Sequence, residues 1–145
     1  MAKLASFRTD TRAIQDGKWI RVSEALYDDL EILTRGYTDA FVDAQTARLT
    51  KAATPYDGNQ TQIPNAERRQ VNAGLLREFL VLDVRNLMGD DEQPVTRDAF
   101  LAMLDDPAYG RLARACWEAA GRVSTQSVAQ VAAAAGNSVT ASSGA

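Results

Sequence analysis

The sequence predicts an α+β protein: a small N-terminal antiparallel β element followed by a mainly α-helical bundle. Three observations lead there. Asp16-Gly17 stands between Ala13-Ile14-Gln15 and Lys18-Trp19-Ile20-Arg21-Val22, and Asp-Gly is a dipeptide that favours a two-residue hairpin turn. From Thr38 onward the apolar residues change to a helical period. Val71, Leu75, Phe79 and Leu82, widened by Leu76 and Leu80, then form a broad apolar stripe that must be covered by something.

In chain order, the hairpin is expected to gain a strand at Leu30 to Thr34, because a lone hairpin is marginal. The sheet should therefore lie between about Ala13 and Arg35. Thr38 is placed to cap a helix through Phe41, Val42, Ala44 and Leu49, with Asp39 near its positive end. ATPYDGNQTQIP breaks regular structure and reads as a solvated connector. Asn65 is expected to cap the longest helix, Ala66 to Leu87, in which Gly74 marks the close approach of a neighbouring element. Gly89 and Asp90-Asp91-Glu92 end it. Thr96 starts the next helix, Asp106-Pro107 restarts the chain, and Ser124 is expected to cap a final alanine-rich helix ended by Gly136-Asn137. Residues 1–137 should form a single domain and 138–145 a disordered tail. Phe41, Leu75, Phe79, Leu82, Phe100, Leu104, Leu112 and Cys116 are the expected core, with Phe79→Ala costing roughly 3–5 kcal/mol.

The composition narrows function chiefly by exclusion. The 145 residues contain no histidine, which removes Ser-His-Asp and Cys-His catalysis and most zinc sites. The single cysteine, Cys116, rules out an intrachain disulfide and reads as a small core residue. The net charge of −3 argues against a nucleic-acid partner, and Arg68-Arg69, Arg111, Arg114 and Arg122 read as solvated helix faces. Asp90-Asp91-Glu92 lacks calcium-loop spacing, and Asp105-Asp106 reads as a helix cap. No apolar run long enough for a membrane span and no leader pattern is visible, so a soluble, cytoplasmic protein is expected. No catalytic, cofactor or metal residue is assigned. The weakly anchored final helix, through Val128 and Val131, is expected to pack on a partner or on another copy of the chain, with Trp19 as a second contact.

The stretch LVLDVRNLMGDDEQPVTRDAFLAMLDDPAYGRL, Leu80 to Leu112, resembles the small tail assembly chaperones of long-tailed bacteriophages. Its most specific part is Pro94 to Tyr109, "P-V-T-x-D-x-F-L-x-M-L-x-D-P-x-Y". The likeness runs from Asp16 to Asn137, beginning with "D-G-x-W-I-x-V". Val84 stands where family members often carry tryptophan. The resemblance implies a stoichiometric binder that holds the tape measure protein soluble, helps recruit tail tube subunits in the host cytoplasm, and leaves before the tail is finished. Many members are also made in a longer, frameshifted form. A structural virion protein of the head–tail completion or tail-terminator type is the alternative.

Overall fold

The computed structural model describes residues 1–130. Its elements run α1 (Thr11–Asp16), β1 (Lys18–Arg21), α2 (Glu24–Tyr27), β2 (Glu31–Thr34), α3 (Asp39–Ala53), α4 (Asn65–Leu75), β3 (Val81–Arg85), α5 (Arg97–Ala102) and α6 (Gly110–Thr125). The fold is α+β, with one three-stranded antiparallel sheet in the order β1-β2-β3. The expected end of the domain at Asn137 and the tail 138–145 lie outside the described residues.

β1 and β2 form where the sequence places strands, but the Asp-Gly hairpin does not. Asp10 accepts the Ala13 N–H at 3.1 Å and caps α1 across the stretch expected to be the first strand. Asp16-Gly17 ends that helix: the Gly17 N–H reaches Ala13 O at 2.9 Å. Gly17 has φ +91°, and a Cβ there would stand 2.7 Å from Leu82 Cδ1. The backbone angle requires glycine, and a side chain there would also have to displace the Leu82 methyl.

The larger correction concerns the third strand, which the sequence reading places inside a helix reaching Leu87. Pro64 takes the cap position of α4, with Asn65 as its first residue. The helix ends at Leu75, one π turn covers Leu76–Leu80, and Val81–Arg85 then pairs with β2. The sheet is therefore closed by a segment from mid-chain and is not confined to residues 13–35. Ile20, Ile32 and Val84 stand in register across the three strands, and all three are buried. A register shift at Leu33/Thr34 leaves Leu82 as the extra residue. The bulge lets Val81 and Val84 both reach the covered side, three positions apart.

That covered face packs against α6, whose inward side is Ala115, Cys116, Ala119, Ala120 and Val123. Small residues let the helix axis approach the sheet closely. Phe100, Leu104 and Phe41 are buried in the same core. Phe41 stacks on Tyr37 with ring centroids 5.2 Å apart and meets Trp117 at 5.9 Å. Thr38 and Thr96 accept from Phe41 N and Ala99 N, each at 3.2 Å, and cap α3 and α5 as the sequence requires. Gly74 faces α3, where Arg48 Nη1 would stand 3.2 Å from an added Cβ.

Five of the eight expected core residues are fully buried: Phe41, Leu75, Phe100, Leu104 and Cys116. Phe79 and Leu112 lie at the margin, with the Arg48 guanidinium 5.4 Å from the Phe79 ring centroid. Leu82 sits against Gly17 and stands apart from that cluster. The stability consequence shifts with the burial. Phe100→Ala should cost about 3–5 kcal/mol, and Phe79→Ala distinctly less. Urea unfolding of both variants checks this, and equal midpoints would contradict the assigned core.

Candidate partner-binding surfaces

Trp19 lies half-buried on the uncovered face of the sheet, its ring under the Arg85 guanidinium at 4.1 Å. Arg85 also pairs with Glu31 across the strands. The indole is therefore covered on one side by a cation–π contact, and only part of it is open to a partner.

Val128 opens a further helical turn after α6 ends at its cap, Gln126, and it is 37% exposed. Its N–H donates to Arg8 O at 2.8 Å. The cap of this turn is Ser127 and not the expected Ser124. Ser127 Oγ accepts from Gln130 N at 3.1 Å, while Gln130 Oε1 accepts from Ser127 N at 2.9 Å, a reciprocal capping pair. Ser124 lies inside α6. It accepts the Tyr37 N–H and donates to Ala120 O, both at 2.8 Å. Val131 lies outside the described residues.

One open apolar cleft is absent from the sequence reading. Leu26 is 59% exposed, Met88 62% and Tyr109 39%, and they line one cleft of about 540 Å³. Its frame is hydrogen-bonded. Asn86, at φ +62°, donates from Nδ2 to Asp29 O at 3.1 Å. Arg111 donates from Nη2 to Leu26 O at 3.0 Å, and its guanidinium lies 5.8 Å from the Tyr27 ring centroid. Met88 bridges to Pro94, and Ala108 and Tyr109 close the cleft from the side of the Pro107–Tyr109 turn. Three separate stretches build the cleft, and only the exposed pair Leu26 and Met88, each outside a periodic stripe, could have hinted at it.

The acidic turns act locally. Asp91 Oδ1 accepts from Gln93 N at 3.1 Å, and Asp106 Oδ1 accepts from Ala108 N at 2.9 Å, capping the turn Pro107–Tyr109. No group of three or more metal-capable side chains gathers among the described residues, and no described helix is long and apolar enough to cross a membrane. Compared with known protein families, curated proteins and solved structures, the chain matches none.

Cys116 is fully buried, and burial pushes its thiol from the ordinary 9.0 up to about 12. Burial also raises Tyr37. The folded state favours the neutral thiol, so this contribution to stability is complete below the unfolded pKa and is lost as pH rises from about 9 toward about 12. Ellman's reagent near pH 8 should leave the native thiol unmodified and label it only after unfolding, because the thiolate is the reactive form. Rapid stoichiometric labelling of the native protein would contradict this burial.

Proposed function

We propose that the chain is an assembly chaperone of phage tails. It binds the tape measure protein stoichiometrically, helps recruit tail tube subunits in the host cytoplasm, and is absent from the mature virion. It acts by covering surface and not by catalysis. The observation that carries this reading is the cleft of Leu26, Met88 and Tyr109, an apolar opening held on a hydrogen-bonded frame. Its volume of about 540 Å³ falls in the range that receives a compact ligand or a few large side chains. Methionine at its rim adapts to differing apolar surfaces. The resemblance of Pro94 to Tyr109 to the tail chaperones supports the same reading, because the end of that segment, Ala108 and Tyr109, lines the cleft.

A tape measure protein is a long helical chain whose apolar stripes lack cover until the tube encloses them, and a soluble partner can shield those stripes meanwhile. Co-expression should keep a cognate tape measure protein in the soluble fraction. Leu26→Asp/Met88→Asp should abolish that effect while leaving the fold intact, because both charges would be desolvated on docking. Val128→Asp/Val131→Asp should weaken it. Full rescue by the Leu26/Met88 variant would remove the cleft as the contact. Finding the wild type at fixed stoichiometry in purified virions would replace this reading with the structural alternative.

A further inference from the structure

The arginines that look scattered in sequence converge in space. Arg68 and Arg69 of α4 and Arg114 of α6 line one cleft of about 320 Å³, accompanied by Asn65 and Asn72. No carboxylate belongs to that lining. The described ion pairs occupy Arg12, Arg21, Arg48, Arg77, Arg85, Arg97 and Arg122, and none of the three. Residues 131–145 contribute no Asp or Glu side chain that could join them. Arg68 is steadied by donating to Gln60 O, a neutral acceptor that leaves its charge uncompensated. On a chain of net charge −3, this is a local concentration of positive potential, and such a cleft favours approach of an anion.

The floor of the cleft is apolar, made by Ala73, Leu76 and Leu104, with Trp117 alongside. On α4 and the π turn after it, Asn65, Arg69, Asn72 and Leu76 follow helical spacing. Gly110, Arg114 and Trp117 do the same on α6. The two helices are thus walls with arginine on each side and hydrocarbon between.

A single small anion would leave that floor uncovered. A nucleic-acid backbone would meet the net negative charge of the remaining surface. We infer that the cleft between α4 and α6 docks an acidic amphipathic segment of a protein partner, its apolar side chains on Ala73, Leu76 and Leu104 and its carboxylates on the arginine forks. Arginine suits this role because its planar fork takes a carboxylate through two hydrogen bonds. The inference is independent of the tail-chaperone reading, since it specifies the chemistry of the segment and not the protein that carries it.

Calorimetric titration tests this with three probes: a blocked peptide bearing a leucine stripe flanked by glutamates, a scrambled peptide of the same composition, and inorganic pyrophosphate. The striped peptide should bind the wild type at least about tenfold more tightly than the scrambled one. Arg69→Glu/Arg114→Glu should weaken it by about tenfold or more. Lys3→Glu/Arg8→Glu, which changes net charge equally but elsewhere, should leave it unchanged. The neutral pair Arg69→Gln/Arg114→Gln should give an intermediate loss, and circular dichroism establishes that each variant is folded. Failure of the striped peptide to bind would overturn the inference, as would equal affinity for the wild type and the Arg69/Arg114 variants. Full displacement by pyrophosphate would also overturn it, by showing a site for small anions.

Discussion

Burial of the run from Leu75 to Val84 has to survive a change of backbone from helix to strand, and the remaining elements are arranged around that demand. Leu75, Leu76, Leu80, Val81 and Val84 are all buried, although they belong in turn to α4, a π turn and β3. The π turn absorbs the change within five residues. Its last carbonyl, Leu80 O, accepts the Arg35 N–H at 2.9 Å, which joins the end of the turn to the end of β2. The bulge at Leu82 then corrects the strand's facing, so that Val81 and Val84 point to the same side. Without both adjustments, an unbroken helical or strand period would turn part of this run toward water.

The open surfaces follow from that rearrangement. Because the chain leaves α4 to enter the sheet, α6 packs chiefly on β1 and β2, and α4 lies across the arginine-lined cleft from it. At the far end of β3, the strand runs out through Asn86 and Met88 toward α2 and the Pro107–Tyr109 turn, where the apolar cleft opens. One cleft is cationic with an apolar floor and the other mostly apolar, so the two openings differ in chemistry.

The caps at Thr38, Thr96 and Asp106 were legible in the sequence, since each needs only a local acceptor at a fixed spacing, whereas Asn65 and Ser124, read as caps, lie inside α4 and α6. The strands at Trp19 and Ile32 were legible too. Asp16-Gly17 was not, because a glycine with positive φ serves a helix end as well as a hairpin. The third strand was hidden for a related reason: Leu75, Leu76, Leu80 and Val84 recur at spacings a helix also satisfies, and only the β-branched Val81 and Val84 leaned the other way. The arginine cleft depends on α4, which ends at Leu75, facing α6, which begins only at Gly110, and no local pattern carries that information.

The most direct test is a set of nuclear Overhauser effects across β2 and β3. The account predicts cross-strand contacts between the backbones of Ile32 and Val84, paired in register, together with slow amide exchange within Val81–Arg85. Sequential helical contacts running unbroken from Asn65 through Leu87 would contradict it. They would remove the third strand and, with it, the course of the chain that shapes both clefts.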